Sequence, residues 1–394
     1  MRPAGLLAAG IAGAVAGAAL VLSIPAPGVP VDPVSRPPGV PEGAVIGEAP
    51  VRTLLAWTPG GIPEGFAEAV AALPSVRRVT EVRSGVAWLD AWADRGGSVR
   101  TPPPGLRVPV EVAAVDPGSY AAFVPPAERA EVEALRGPQA VLGQTGADLR
   151  DVGAGGTLRF GSVTLRVGAV LPDELVGAHE VVVAPETGAR LGITSPRYLL
   201  VAPRDEAGLR RVESGIRHAV PAGMRIRIRA PGETPVFRHG DAVLAPVRLK
   251  ELFGEFAAAP APGGFVRQSP GWVRQNIRTV RLPVLGEFRC HRLVIPLVRG
   301  VLAELARRGL AHEIHSFSGC YSPRFIARDP GAGLSHHAWG IALDINAPEN
   351  PLGAEPTMDR RVVEVFERWG FTWGGRWLVP DGMHFEFLRF PQSD

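Results

Sequence analysis

Two short segments near the end of the chain alternate between hydrophobic and polar residues, a pattern that predicts strands with one buried face. In residues 340–346 every second position is aliphatic, and Asp344 lies among the intervening positions. A later segment alternates two phenylalanines with His384 and Glu386. A turn-forming Pro-Asp-Gly tripeptide that contains Asp381 comes just before it. We therefore expect the polar faces of these strands to line a site.

Hydrophobic periodicity predicts further elements along the chain. Residues 291–310 and 359–369 carry apolar side chains at helical spacing, so each predicts an amphipathic helix that covers a sheet. Residues 157–167 alternate at period two around a central Gly-Ser pair, which predicts a β-hairpin. Further strands are expected at residues 180–184, 198–202 and 224–228, and further helices at residues 63–73 and 206–220. This mixture indicates the α+β class.

The length of the chain, 394 residues, suggests two domains with additional segments. We place an α+β domain of unknown role at residues 51–231, where no ionisable cluster predicts a site. A second domain, with a small antiparallel sheet and covering helices, is expected at residues 246–392. Residues 257–264 are rich in Ala, Pro and Gly, which is typical of a linker or an exposed loop.

The N-terminus has the composition of a targeting segment. Residues 4–24 carry no charge and follow Arg2, which is consistent with a signal anchor that stays in the membrane or with a cleaved signal peptide within residues 1–24. Proline-rich residues 25–50 would then form an extended spacer. Both alternatives predict an extracytoplasmic location, either as a single-pass membrane protein or as a secreted one.

The charge of the chain excludes few partners but argues against nucleic acid. Forty-two basic and 39 acidic residues leave a formal net charge of +3. Lys250 is the only lysine, and the arginines are spread along the chain without forming a basic stripe. We therefore expect no nucleic-acid partner.

Two histidines and one aspartate can supply three ligands to a zinc ion and leave its fourth position open, which is typical of catalytic zinc. They lie within the pattern S-x-H-x-x-G-x-A-x-D followed by D-x-x-H, which is matched by Ser335, His337, Gly340, Ala342, Asp344, Asp381 and His384. In these residues the chain resembles the VanY-type D,D-carboxypeptidases and L-alanyl-D-glutamate endopeptidases of bacterial cell walls. Residues 319–324 and 370–375 resemble further elements of that family, and the resemblance covers residues 246–390.

The resemblance implies a role for each residue of the pattern. His337, Asp344 and His384 would bind Zn²⁺, which polarises a peptide carbonyl and lowers the pKa of a water molecule. Asp381 would be the general base, which takes a proton from that water and returns it to the leaving amine. Arg324 would stabilise the negative charge that forms on the carbonyl oxygen.

Several neighbouring residues allow more than one interpretation. We assign Ser335 and Trp373 to substrate binding, although Trp373, like Trp377, can equally belong to the core. Adjacent residues of a strand or loop point opposite ways, so His336 is not expected to face the metal together with its neighbour. Glu386 is expected to support a ligand rather than to act as the base.

The remaining histidines and the two cysteines are read differently. His312 and His315 lie three apart in a predicted strand, so they would occupy opposite faces and are expected at the surface or in support of the site. Cys290 and Cys320 are the only cysteines, and in an oxidising compartment they could form a disulfide. The alternative is two reduced, buried thiols.

The function implied by the resemblance is hydrolysis of peptidoglycan stem peptides by an extracytoplasmic zinc peptidase. The alternative is a catalytically inactive muropeptide-binding or regulatory protein on the same scaffold, and the presence of Asp381 favours the enzyme. Residues 51–231 are similar in hydrophobic rhythm and glycine placement to the extracytoplasmic domains of MacB/FtsX-type permeases. The sequence identifies neither the bond that is cut nor a partner of these residues.

Overall fold

The computed structural model describes residues 53–205, 208–231, 240–241 and 244–391, all within one compact unit of the chain, Val34–Asp394. The predicted signal segment and spacer lie outside the described residues. Within the described part, none of the helices combines the length and the apolar character needed to cross a membrane. Below, residues 53–231 are called the N-terminal part and residues 244–391 the C-terminal part.

The N-terminal part is built on an 11-stranded sheet with strand order β11-β1-β10-β2-β5-β9-β6-β8-β7-β3-β4. Its strands are β1 Leu54–Trp57, β2 Val76–Leu89, β3 Ala91–Ala93, β4 Val99–Arg100, β5 Val108–Val115, β6 Gln139–Gly143, β7 Thr157–Phe160, β8 Val163–Leu171, β9 Val181–Val183, β10 Pro196–Pro203 and β11 Arg227–Arg229. Its helices are α1 Phe66–Ala71, α2 Pro117–Tyr120, α3 Arg129–Glu133, α4 Gln144–Arg150, α5 Pro185–Arg190 and α6 Gly208–Ala219.

Alternation in the strands distributes side chains to the two faces of this sheet. In β1, Leu54 and Ala56 pack in one hydrophobic cluster, and Leu55 and Trp57 pack in another. Neighbouring strands are antiparallel except for the pairs β5–β9 and β6–β8, which are parallel. The predicted hairpin is confirmed, because β7 pairs antiparallel with β8. The predicted strands at 180–184, 198–202 and 224–228 and helices at 63–73 and 206–220 correspond to β9, β10, β11, α1 and α6.

The C-terminal part contains a four-stranded antiparallel sheet with order β16-β17-β19-β18. The helices and strands of the C-terminal part are α7 Pro246–Phe253, β12 Ala258–Ala261, β13 Phe265–Gln268, α8 Pro270–Asn276, β14 Ile277–Leu282, β15 Gly286–His291, α9 Ile295–Arg307, β16 Phe317–Gly319, β17 Ala342–Ile345, α10 Arg360–Arg368, β18 Phe371–Trp373 and β19 His384–Phe387. The fold is therefore of the α+β class, as predicted.

The predicted faces of β17 and β19 are confirmed. The aliphatic residues of residues 341–345 and the phenylalanines of β19 are fully or almost fully buried in one core. In that core Phe366 of α10 stacks on Phe385 of β19, with ring centroids 4.2 Å apart. The helices α9 and α10 contribute their apolar stripes to the same core, so the two amphipathic patterns cover this sheet as expected.

Residues 257–264 are not a linker between packed units but part of a β-hairpin, and its turn has the exposure expected of a loop. Residues 258–261 form β12, which pairs antiparallel with β13, and Ala258 is completely buried. Arg107 of the N-terminal part exchanges two backbone hydrogen bonds with Ala258, of 2.9 and 2.7 Å. Alanine allows this close approach because its side chain ends at Cβ. The Ala-rich composition suggests flexibility, but in this segment it allows two backbones to pack closely.

Candidate metal centre

Strand register brings one candidate ligand directly opposite another. In the pairing of β17 with β19, Asp344 lies across from His384. The third candidate, His337, lies on a one-turn 3₁₀ helix, His336–Ala338, that precedes β17. The Ser335 side chain caps this turn by accepting a hydrogen bond from the His337 backbone N–H, at 3.4 Å. Ser335, which we assigned to substrate binding, thus shapes the turn that presents His337.

The three side chains converge on one point. His384 Nδ1 lies 3.0 Å from Asp344 Oδ1, and His337 Nε2 lies 3.3 Å from Asp344 Oδ2. The two imidazole nitrogens, His337 Nε2 and His384 Nδ1, are 3.3 Å apart. All three residues offer ligand atoms within 4.8 Å of one another, so together they could hold a metal ion.

Both imidazoles are oriented from behind by a second hydrogen bond. His337 Nδ1 donates to the backbone carbonyl of Cys320 at 2.7 Å, and His384 Nε2 lies 3.3 Å from Glu386 Oε2. These contacts place a proton on the outer nitrogen of each ring and turn the inner nitrogen toward the centre. Carbonyl and carboxylate partners of this kind commonly orient metal-binding histidines. The donor set and its supports therefore fit a metal such as zinc.

The charges at the centre favour a bound cation. Burial acts to raise the pKa of Asp344, but hydrogen bonds with His337 and His384 outweigh it and hold that pKa well below its usual range. Burial acts to lower the pKa of His384, yet its bonds to Asp344 and Glu386 raise it to about 10. The two carboxylates thus favour positive charge beside His384, and a bound metal ion would supply such charge.

Asp381 lies next to this cluster in a different environment. Burial raises its pKa, and the neighbouring Asp344 charge acts in the same direction against the His384, His337 and Arg324 charges. Its Oδ1 atom is buried and accepts no hydrogen bond from the described residues. Burial of a carboxylate oxygen without a hydrogen-bond partner costs free energy, and a carboxylate with a raised pKa beside the candidate ligands is suited to proton transfer.

Arg324 is half-buried and belongs to the same electrostatic environment, because its charge acts on Asp381. Its backbone is fixed on two sides, by a bridge to Phe265 and by the Ser335 N–H, which donates to the Arg324 carbonyl at 3.0 Å. Within the described residues its guanidinium forms no ion pair with a carboxylate. The group is therefore available for an anionic or polarised substrate atom.

His336 turns away from the cluster, as expected from its position beside His337. Its Nδ1 lies 2.7 Å from Glu386 Oε2, and this contact helps to hold the pKa of Glu386 below its usual range against the effect of burial. Glu386 therefore connects His336 with His384. This arrangement supports a ligand, which is the role expected for Glu386.

Trp373 and Trp377 lie in different environments, one in the core and one beside the candidate ligands. Trp373 is buried, its ring stacks on Phe385 at 6.5 Å, and its Nε1 donates to the Gly382 carbonyl at 2.8 Å. Trp377 is partly exposed, and its ring centroid lies 5.1 Å from that of His384. Trp373 is therefore a core residue, and Trp377 is the tryptophan at the centre. A signal was present, because in β18 Trp373 shares the buried face of Phe371.

The disulfide between Cys290 and Cys320 is present, with a Cα–Cα distance of 5.4 Å. The disulfide links Cys320 to strand β15. The backbone carbonyl of Cys320 accepts the hydrogen bond that orients His337. His312 and His315 are not in a strand: His312 lies in a 3₁₀ turn with a largely exposed side chain, and His315 contacts Glu349 at 3.3 Å. Neither belongs to the described metal-binding cluster.

One family model matches part of the C-terminal region. Residues 328–387 match the family model described as D-alanyl-D-alanine carboxypeptidase. This confirms the family resemblance. The matched residues include His337, Asp344, Asp381 and His384, whereas Arg324 lies before them. They form a minor share of the chain, so the match concerns this region alone.

Two solved structures also resemble the chain. The periplasmic region of MacB from Actinobacillus actinomycetemcomitans is 13% identical, covers 47% of this chain and 90% of its own, and has a TM-score of 0.32. The extracellular domain of the noncanonic ABC-type transporter YknZ from Gram-positive bacteria is 10% identical, covers 45% and 99%, and has a TM-score of 0.30. A comparison with curated proteins finds no match.

Proposed function

We propose that this protein is an extracytoplasmic zinc peptidase that hydrolyses peptidoglycan stem peptides, as a D,D-carboxypeptidase or a related endopeptidase. The main support for this proposal is that His337, Asp344 and His384 converge beside the Asp381 carboxylate, whose buried Oδ1 has no hydrogen-bond partner among the described residues. Both histidine rings are also oriented by contacts of their outer nitrogens. The substrate class is proposed from the family model that matches residues 328–387. The disulfide supports an oxidising, extracytoplasmic compartment. A membrane attachment through residues 1–24 is part of the same proposal.

Each side chain has a distinct task in this proposal. Zinc held by His337, Asp344 and His384 would supply Lewis acidity toward the peptide carbonyl and toward water. Asp381 accepts the proton of the attacking water and returns it to the leaving amine. Arg324 stabilises the negative charge that develops on the carbonyl oxygen.

Exchange of Asp381 for its amide tests the base separately from the ligands. In Asp381→Asn we expect zinc to stay bound and turnover to fall by roughly 10²- to 10⁴-fold, because the amide cannot accept the proton. Asp329→Asn is the matched control, since Asp329 is an exposed turn residue whose cap to Gly331 an amide can retain. His337→Ala should instead lose the metal and all turnover.

Elemental analysis and mass spectrometry of muropeptides are the two measurements. The cleaved bond seen in the product masses would distinguish carboxypeptidase from endopeptidase activity. Full turnover in Asp381→Asn would remove that residue from the mechanism, and zinc retained in His337→Ala would contradict the ligand assignment. Zinc-loaded wild-type protein that binds muropeptides without cleaving them would support the binding-protein alternative.

A further inference from the structure

One loop of the C-terminal part connects the core sheet with the candidate base. This loop, residues 374–380, follows β18 and leads into Asp381. The Asp381 N–H donates to the Gly374 carbonyl at 2.9 Å, which closes the loop at its base. Trp377, near its tip, lies against the ring of His384. The loop conformation therefore determines one wall of the candidate centre.

The tip of the loop is held by side chains from outside the C-terminal part. Arg225 donates to the Leu378 carbonyl at 3.1 Å, and Arg227 donates to the Arg376 carbonyl at 3.3 Å. The Leu378 N–H donates to the Asp241 carboxylate at 2.7 Å, and Asp241 in turn forms an ion pair of 2.8 Å with Arg227. Both backbone polar groups of Leu378 thus depend on residues more than 130 positions earlier in the chain.

Apolar packing reinforces these polar contacts. The Leu378 side chain packs against the hydrophobic cluster of the large sheet that contains Leu55, Trp57 and Tyr198. On its other side the loop is tied to the C-terminal part by an ion pair between Arg376 and Glu367 of α10.

Trp377 lies between two anchored neighbours, one on each side in the sequence. Its own backbone N–H bonds within the loop, to the Gly374 carbonyl at 3.0 Å. The position of the whole tip therefore fixes the ring against His384. That position is set by Arg225 and Arg227 of the N-terminal part and by Asp241. Loop residues freed from such contacts sample several conformations, and a displacement of about 1 Å in a catalytic site can reduce the rate substantially.

We propose that Arg227 and Asp241 are positioning residues for the peptidase, and that the N-terminal part, together with Asp241, completes the active site by holding the 374–380 loop. This inference rests on the proposed function and assigns to residues 53–231 a direct task in it. Trp377 then forms an apolar wall beside His384, where a substrate side chain can pack. The metal-binding cluster itself lies entirely in the C-terminal part, so the N-terminal part would act on the reaction here by positioning this loop.

The test uses the full-length, zinc-loaded chain with Arg227→Ala, Asp241→Ala and the double variant. We expect unchanged zinc content and a fall in kcat/KM of roughly 10- to 100-fold, with the double variant no worse than either single one, because the two residues act as a unit. Asp241→Asn keeps an acceptor for the Leu378 N–H and should recover part of the loss. Arg217→Ala, which breaks an exposed ion pair with Glu213 on α6, is the matched control and should leave kcat/KM unchanged.

A double-mutant cycle with Trp377→Ala separates positioning from general destabilisation. If Arg227 acts through Trp377, Arg227→Ala should add little to the loss already caused by Trp377→Ala. Fully additive losses would show that Arg227 acts elsewhere and would overturn the proposal.

Hydrogen exchange gives a readout that does not depend on activity. The peptide that covers residues 374–381 should exchange faster in Asp241→Ala than in the wild type, because Leu378 loses its acceptor. Unchanged exchange would refute the anchoring, and faster exchange with wild-type kinetics would refute its role in the reaction. A wild-type protein that cleaves no stem peptide would refute the proposed function, while exchange would still decide the anchoring.

Discussion

Replacement of the single lysine by methionine, Lys250→Met, probes the buried junction between the two parts of the chain. Lys250 of α7 has a side chain that is 1% exposed, and its Nζ lies 2.8 Å from both oxygens of Glu180. Nζ also lies 3.1 Å from Glu255, and Arg150 forms ion pairs with both carboxylates. Two positive and two negative charges thus balance in the interior, and methionine would leave one negative charge unbalanced.

The expected loss follows from that imbalance. Removal of one partner from a buried ion pair costs about 3–5 kcal/mol, because the remaining charge stays buried without compensation. Arg150 still contacts both carboxylates, so we expect a value near the lower limit, about 3 kcal/mol of unfolding free energy. With an unfolding entropy of about 2.1 cal/mol/K per residue, that corresponds to a fall in Tm of roughly 4 °C for a chain of this size.

The loss should also depend on pH. Burial acts to raise the pKa of Glu180, but Lys250 and Arg150 outweigh it and hold the pKa below its usual range. A carboxylate with a lowered pKa stabilises the fold above the pKa of the unfolded chain, and this stabilisation disappears as the pH falls through the folded pKa. Lys250→Met should therefore be most destabilising at neutral pH and less so in acid.

Denaturant and thermal unfolding followed by circular dichroism measure the effect. The double variant Lys250→Met/Glu180→Gln restores charge balance with Arg150 and Glu255, so it should lose less than the sum of the single variants. Arg83→Met, which breaks an exposed ion pair with Glu81, is the control and should change stability by no more than about 1 kcal/mol. A loss below about 1 kcal/mol in Lys250→Met would refute the reasoning.

Three further changes test the supports of the metal centre. Glu386→Gln should weaken metal affinity by roughly 10- to 100-fold in chelator competition, because His384 loses a carboxylate partner. Replacement of Cys290 and Cys320 by serine should lower the unfolding free energy by about 2–4 kcal/mol in denaturant titrations. Gly374→Ala should reduce turnover and Tm together, because its Cβ would lie 2.7 Å from the Asp381 carbonyl oxygen.

Controls make these three outcomes decisive. Gly271→Ala adds a Cβ where no atom lies within 4 Å, so any general effect of the glycine exchange appears there. Unchanged chelator competition in Glu386→Gln would exclude its carboxylate from ligand orientation. Equal stability of the serine variant and the wild type under oxidising conditions would contradict the disulfide.

Local pattern was sufficient to predict much of the core sheet. A strand alternates its side chains between two faces, so the period of two in residues 341–345 places the aliphatic residues inward and Asp344 outward without knowledge of the partner strand. The helices α9 and α10 and the β7–β8 hairpin follow from equally local rules. The choice of His337, Asp344 and His384 as candidate ligands rested on the family resemblance, and the structure places their side chains together.

Other features depend on contacts between residues that are distant in the chain. The Cys320 carbonyl that orients His337 belongs to the backbone, so the pattern of side chains in the sequence does not predict this hydrogen bond. The low-complexity segment around Ala258 looks flexible in sequence but is paired and buried in the structure. Composition alone does not distinguish a small residue that is mobile from one that allows two backbones to approach.

The sequence by itself therefore determined the α+β class and the faces of the short strands, because each depends on residue type and short-range spacing. Tertiary structure alone decided that Trp377 contacts His384, and that Asp241 holds the Leu378 backbone. These contacts join elements that lie far apart along the chain, and their partners become neighbours only when both sheets pack together. Sequence periodicity does not predict contacts of this kind, because they depend on how the whole chain folds.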